Sequence, residues 1–176
     1  MNSRELALSA VLAAMYAAAV VLLSPVSFLV WQVRVADALL MLSTVLGWPA
    51  VVGVTVGCFV GNMLAAPWGS VFLTAVDAVL GSLANFIASY LGLRLGLGRG
   101  FGWKVAAAAV EVVVVSLVVG AYLKYLLLWA FGADIPLWLS VAGVLPGSVV
   151  SIGVLGTALA VVVERRLQPQ GLARRA

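Results

Sequence analysis

Six apolar segments, separated by short stretches rich in glycine and proline, are the feature that most limits how this chain can fold. They cover approximately residues 5–23, 35–46, 50–65, 71–93, 104–130 and 137–163. Glycine and proline interrupt helices, so the breaks predict helix ends. A helix needs about 20 apolar residues to cross a bilayer, so we expect the short second and third segments to be tilted, re-entrant or buried. The pattern predicts an all-α integral membrane protein, a compact bundle of six transmembrane helices.

The composition favours a protein with almost nothing outside the bilayer. Of the 176 residues, 65% are hydrophobic and 9% are charged, whereas soluble domains carry about 25% charged residues. We expect one membrane domain over residues 1–176, ending in a short basic tail at 167–176, with no room for a catalytic module. The chain is therefore not expected to be an enzyme. With one cysteine and no histidine, no internal disulfide can form and no metal site is expected.

The basic residues predict the orientation in the cell membrane. Cytoplasmic termini would put eight of them inside: Arg4, Arg94, Arg99, Lys104, Arg165, Arg166, Arg174 and Arg175. Cytoplasmic loops of membrane proteins carry such an excess. Because these residues lie at segment ends rather than along one stripe, they indicate topology and not nucleic-acid binding. The six tryptophans mostly lie at segment ends too, where the membrane–water interface favours them.

Five charged residues lie where water is hard to reach, and such residues are usually paired or functional: Arg34, Asp37, Asp77, Glu111 and Lys124. Arg34 and Asp37 stand three apart, so a local ion pair is one interpretation. At about 1.5 Å of rise per residue, Asp77 and Lys124 share a depth near the outer side and can be partners.

Two further patterns leave alternatives open. By the same helical rise, Glu111 shares a level with Asn85 near the cytoplasmic side, so it either accepts a hydrogen bond from Asn85 or is protonated. Small residues recur four apart in the first segment, at Ala10, Ala14 and Ala18. Such a groove allows close helix approach, either within the bundle or with a partner.

Motifs for nucleotide binding and for catalysis are missing from the sequence. The glycine-rich stretch at 92–102 lacks the Gly-Lys-Ser/Thr ending that cradles phosphates. Any ATP-driven work must therefore come from another chain.

Four stretches carry a family resemblance: SPVSF at 24–28, QVRVADAL at 32–39, GCFVGN at 57–62 and DAVLGSLA at 77–84. In order and spacing they resemble the QueT family, substrate-binding S-components of energy-coupling-factor (ECF) transporters associated with queuosine precursors. The resemblance covers about the first half of the chain, and the last two helices match in hydrophobicity and length. Asp37 stands where the family usually has Glu, which keeps the carboxylate. Ser148, in the Pro-Gly-Ser at 146–148, stands where an acidic residue is expected, so one ligand contact differs.

The resemblance implies a six-helix S-component with both termini inside and a ligand pocket that opens outward beneath the first loop. Transport would then need a transmembrane coupling subunit and two ABC-type ATPase subunits, which hydrolyse the ATP, with no cofactor in this chain. Ala10, Ala14 and Ala18 would form the docking face for the coupling subunit.

The implied cargo is a 7-deazaguanine such as preQ0, preQ1 or queuine, whose flat ring suits a carboxylate, an amide or guanidinium and an aromatic face. Asp77 is a second acceptor or else the counterion of Lys124, and Asn62 can add a hydrogen bond. The complete expected set is Trp31, Gln32, Arg34, Asp37, Asn62, Asp77, Lys124 and Ser148. Two alternatives remain: an S-component for another vitamin-like or aromatic molecule, and a self-sufficient ion- or proton-coupled transporter with Asp77, Glu111 and Lys124 as a relay.

Overall fold

The computed structural model describes residues 1–28 and 33–167, with only the backbone described for Val26. Trp31 and Gln32 of the expected site, and most of the predicted tail, lie outside the described residues. In chain order the helices are α1 (Ser3–Leu22), α2 (Ser24–Ser27), a 3-10 helix (Val35–Leu42) that continues as α3 (Ser43–Leu46), α4 (Trp48–Ala65), α5 (Val71–Gly96), α6 (Phe101–Phe131), α7 (Leu137–Ser148), a π-helical segment (Val149–Gly156) and α8 (Thr157–Leu167).

The predicted six-segment bundle agrees with the described helices. Five of them are long and apolar enough to cross a membrane, with α7, the π-helical segment and α8 forming one of the five, Leu137–Leu167. The sixth is the shorter apolar helix Val35–Leu46. Of the outcomes expected for this short segment, burial among neighbours is the one observed, because Asp37–Leu42 are all buried. The third segment forms α4, whose 18 residues are enough for a span.

Helix ends follow from local sequence. The Asn2 side chain accepts a hydrogen bond from the Glu5 amide at 3.0 Å, and the Glu5 carboxylate accepts one from the Asn2 amide at 2.8 Å, which together form a capping box for α1. At the other end of the bundle, Gly132 closes α6 in the left-handed conformation, with φ of 70°, which glycine adopts without steric cost.

Three glycines bring α4 against α1. A Cβ on Gly53 would lie 2.7 Å from Leu12 Cβ, one on Gly57 would lie 2.7 Å from the Ala13 carbonyl oxygen, and one on Gly61 would lie 2.9 Å from Val20 Cβ. Glycines four apart therefore form the flat surface on which α1 lies. The inward residues of α1 include Leu12, Tyr16 and Val20.

The alanine stripe predicted on α1 does not take part in that contact. Ala10, Ala14 and Ala18 are all exposed on the surface of the bundle. Of the two alternatives for this stripe, packing within the bundle is therefore wrong. The α1 helix is joined to the bundle by its other face and presents the alanines outward.

The 3-10 helix packs against the π-helical segment. Gly156 makes this contact possible, because a Cβ there would lie 2.9 Å from the Ala38 carbonyl oxygen and from Met41 Cγ. Pro146, inside α7, has no N–H to donate and precedes the π-helical segment by one turn. Both partners in this contact are irregular helices, a geometry that often accompanies function.

Candidate ligand-binding site

Asp37, on the 3-10 helix, is held by a buried hydrogen-bond chain. The Tyr16 hydroxyl of α1 donates to Asp37 Oδ1, and Asn85 Nδ2 of α5 donates to the Tyr16 hydroxyl at 2.8 Å. All three side chains are at most 4% exposed. Buried polar groups joined in this way are fixed in position, so three helices orient one carboxylate.

Arg34 lies beside this chain with its guanidinium incompletely bonded. The side chain is 6% exposed, stands over the Phe28 ring at 5.1 Å and donates a weak hydrogen bond to Cys58 Sγ at 3.9 Å. Its Nε has no partner among the described residues. A buried donor without a partner is costly, so this guanidinium is suited to a ligand acceptor.

The local ion pair that we considered for Arg34 and Asp37 is not formed within the described part of the chain. Both side chains instead line one cavity together with Ser148 of α7. The remaining wall consists of Val115, Val119 and Val144. The cavity measures about 10 Å³, enough for roughly one water molecule.

This cavity unites residues more than a hundred positions apart in sequence. It presents a carboxylate acceptor, a guanidinium donor and a hydroxyl that both donates and accepts, all in an apolar surround. That combination can hydrogen-bond a ligand that offers both donors and acceptors.

A second buried cluster surrounds Asp77 of α5. Trp68 Nε1 donates to Asp77 Oδ2 at 2.9 Å, and Asn62 Nδ2 donates to the Asp77 carbonyl oxygen at 3.4 Å. Asn62 Oδ1 has no partner among the residues described. Phe28 links the two clusters, because its ring meets Trp68 edge to face at 6.3 Å between centroids while Arg34 stands over it.

The predicted pairing of Asp77 with Lys124 is wrong. Lys124 Nζ donates to Asp134 Oδ1 at 2.8 Å and to the Ile135 carbonyl oxygen at 2.9 Å. The helical rise places both residues toward the same end of the bundle, but it does not determine the side of α6 on which a residue lies. Lys124 therefore stays outside the two buried clusters.

The predicted hydrogen bond from Asn85 to Glu111 is also not formed. Asn85 donates to Tyr16, while Glu111 Oε1 accepts from Ser43 Oγ at 3.3 Å. Glu111 is fully buried, and Gly92 leaves it room, since a Cβ there would lie 1.9 Å from Glu111 Oε1. The alternative, a protonated Glu111, stays a prediction.

Three residues of these two clusters were not predicted from the sequence: Tyr16, Cys58 and Trp68. Tyr16 lies in an alanine-rich helix with no motif around it, although a buried tyrosine hydroxyl usually has a hydrogen-bond partner. Cys58 lies in one of the stretches that carry the family resemblance, but no pattern in the sequence marks its contact with Arg34. Trp68 was assigned to the interface with the other tryptophans, but it is 3% exposed and its indole N–H is used by Asp77.

No three cysteine, aspartate or glutamate side chains converge as a metal site within residues 1–28 and 33–167. What the described part of the chain does present is a helical membrane bundle with a buried polar site between its spans, the architecture of a membrane protein that handles a small molecule.

The particular family follows from comparison with known proteins. The chain matches the QueT transporter family over residues 6–165, and it belongs to that family. The resemblance drawn from the four sequence stretches is confirmed and extends over most of the chain. The family is one of transporters rather than enzymes. No curated protein and no solved structure matches the chain.

Proposed function

We propose that this chain is the S-component of an ECF-type importer in the cell membrane and that it captures a 7-deazaguanine such as preQ0, preQ1 or queuine. The observation that carries the proposal is the shared cavity of Arg34, Asp37 and Ser148. Asp37 would accept the ring and exocyclic N–H groups, and Arg34 would donate to the carbonyl oxygen. Ser148 would add one hydroxyl contact.

Loading requires the cavity to widen. At about 10 Å³ it is far smaller than the roughly 300–1,000 Å³ of typical ligand pockets. We infer that the wall of Arg34 and Asp37 moves away from the wall of Val115, Val119 and Ser148 when the ligand binds. Asp37 lies on the 3-10 helix and Ser148 immediately precedes the π-helical segment, so irregular hydrogen bonds that can rearrange adjoin the cavity on both sides.

The partners follow from the surface of α1. Ala10, Ala14 and Ala18 are exposed, and a stripe of small residues lets another helix approach closely. We propose that a transmembrane coupling subunit docks there and that two ABC-type ATPase subunits hydrolyse the ATP. The basic residues favour cytoplasmic termini, which would put the Asp77 end of α5 outside.

A different cargo is the second candidate, and Ser148 is the observation that favours it. A hydroxyl at this wall, where the family resemblance leads us to expect an acid, removes one charged contact and would suit another vitamin-like or aromatic molecule. The proton or ion relay is disfavoured, because Asp77, Glu111 and Lys124 bond to separate partners: Trp68, Ser43 and Asp134.

Calorimetry on the detergent-purified protein tests the cargo, with preQ1, queuine, guanine and an unrelated vitamin compared in parallel. Tight binding of a deazaguanine, with weaker or no binding of the others, is expected. Failure of every deazaguanine to bind would defeat the substrate assignment. Preference for the vitamin would favour the second candidate.

Docking is tested separately by Ala14→Trp. The bulky ring should hold the partner helix away and abolish co-purification with the coupling subunit, while deazaguanine binding by the isolated chain survives. Ala106→Trp, at an exposed alanine of α6 away from the alanine stripe, is the control. Unchanged co-purification and ATP-driven uptake in Ala14→Trp would show that the docking face is elsewhere.

A further inference from the structure

A groove opens between α6 and the last helical span, lined by residues other than those of the ligand site. The two helices touch closely where Gly120 meets α7, since a Cβ there would lie 2.6 Å from Val141 Cα. From this crossing toward Phe101, α6 diverges from the chain that follows, and it contacts α8 far less than α7. The divergence leaves a wedge of about 460 Å³.

The walls of the wedge are apolar and regularly spaced. Residues four apart line each side: Val105, Ala109 and Val113 on α6, and Val149, Gly153 and Thr157 opposite. Gly153 has no side chain to fill the wedge, and the space beside it is open, because a Cβ there would meet nothing nearer than Val149 Cγ1 at 3.9 Å. From Phe101 to Val113 the helical rise amounts to about 18 Å, close to half of a hydrocarbon core of about 30 Å. The wedge therefore spans about one leaflet.

The open end of the wedge is polar and carries net positive charge. Phe101 also lines a neighbouring cavity of about 400 Å³, shared with Lys104, Glu164 and Arg165. Lys104 Nζ, 1% exposed, donates to Glu164 Oε1 and to the Arg99 carbonyl oxygen, each at 2.9 Å. These two bonds use two of the three donors of the ammonium group. Since Glu164 balances Lys104, Arg165 gives the rim its excess charge.

We propose that this groove binds one anionic phospholipid, with an acyl chain in the wedge and the headgroup phosphate at Lys104 and Arg165. An apolar slot one leaflet deep that ends in basic side chains matches the two halves of such a lipid. Basic pockets between transmembrane helices on the cytoplasmic side bind anionic headgroups. The proposal rests on the cytoplasmic orientation proposed above for the termini, and it is independent of the transported ligand.

Native mass spectrometry of the detergent-purified protein tests it, by titration with phosphatidylglycerol and phosphatidylcholine of identical acyl chains. One phosphatidylglycerol per chain should be retained, about fivefold more tightly than phosphatidylcholine. Arg165→Gln should remove this preference. Gly153→Leu, which fills the wedge, should weaken both lipids.

Two matched variants serve as controls. Arg94→Gln removes a basic residue at the end of α5, and Ala158→Leu enlarges an exposed residue of α8 that does not line the wedge, so both should bind lipid like the wild type. Equal binding of the two lipids, a preference that survives Arg165→Gln, or an equal loss in Arg94→Gln would overturn the proposal. So would displacement of the lipid by inorganic phosphate alone, or a dimer of the chain that excludes both lipids.

Discussion

The contact of α1 with α4 and the contact of the 3-10 helix with the π-helical segment both depend on glycine, yet they differ in every other respect. In the first, Gly53, Gly57 and Gly61 form a continuous row on a regular helix, and apolar side chains fill the interface. In the second, the single Gly156 lets two irregular helices meet beside a polar cavity.

The comparison indicates that the regular interface is rigid and that the irregular contact is the part of the molecule that can change shape. A tightly packed interface resists change, because every displaced atom loses contacts. Irregular helices have fewer ideal hydrogen bonds to lose. We therefore expect α1 and α4 to move as one unit, while the 3-10 helix moves away from the wall of Val115, Val119 and Ser148 to admit a ligand.

The largest effect is expected at the regular interface. Gly57→Val would force a side chain against the Ala13 backbone and Tyr16 Cβ, which cannot yield without separating the helices, and should cost about 3 kcal/mol or more of stability. Thermal unfolding in detergent measures this. Gly102→Val is the matched control, because a Cβ there meets nothing within 4 Å. Equal melting temperatures for the two variants would contradict the rigid interface.

At the irregular contact, Asp37→Asn should affect the ligand more than the fold. The loss of a charge-assisted hydrogen bond costs about 1.5–3 kcal/mol, or a weakening of deazaguanine binding of roughly tenfold to more than a hundredfold. Calorimetry measures the affinity. Asp134→Asn, which changes an exposed carboxylate, should bind like the wild type. Equal affinity in wild type and Asp37→Asn would remove Asp37 from the site.

Tyr16→Phe tests whether the two regions communicate, because Tyr16 lies on the rigid helix α1 and donates to Asp37. Without the hydroxyl, Asn85 loses its acceptor and Asp37 its donor, so affinity should fall by about 1 kcal/mol, roughly fivefold. Calorimetry on Tyr16→Phe and on Tyr125→Phe, an exposed control, gives the comparison. An unchanged affinity would mean that Asp37 is positioned by the 3-10 helix alone.

The smallest effect is expected from Lys124→Met. Lys124 and Asp134 form a partly exposed pair, with side chains 22% and 69% exposed, and such pairs contribute at most about 1 kcal/mol. The melting temperature and the ligand affinity of Lys124→Met should both stay close to the wild-type values, as thermal unfolding and calorimetry would measure. A tenfold loss of ligand affinity would contradict this prediction and show that Lys124 contributes to the ligand site.

The helices themselves could be predicted from the sequence, because apolar runs and Gly/Pro breaks determine them directly. The family resemblance also led us to expect Arg34, Asp37 and Ser148 together, and they do line one cavity; that this cavity binds a ligand stays a prediction. The pairing of side chains could not be predicted. Lys124 is at a similar height along the helices as Asp77, but the residue that faces Asp77 and donates to it is Trp68. Rotation about a helix axis depends on packing against every neighbour. The irregular helices were missed for the same reason: no local pattern marks a 3-10 or π-helical turn in an apolar run.

Cys58 gives the protein a native reporter. It is the chain's only thiol, it is fully buried, and its sulfur lies 3.9 Å from Arg34 Nη1. If the Arg34 wall moves aside when a ligand enters, as proposed above, a small thiol reagent should gain access to this sulfur. The rate of its modification therefore measures how often the site opens, in unmodified protein and without an engineered label.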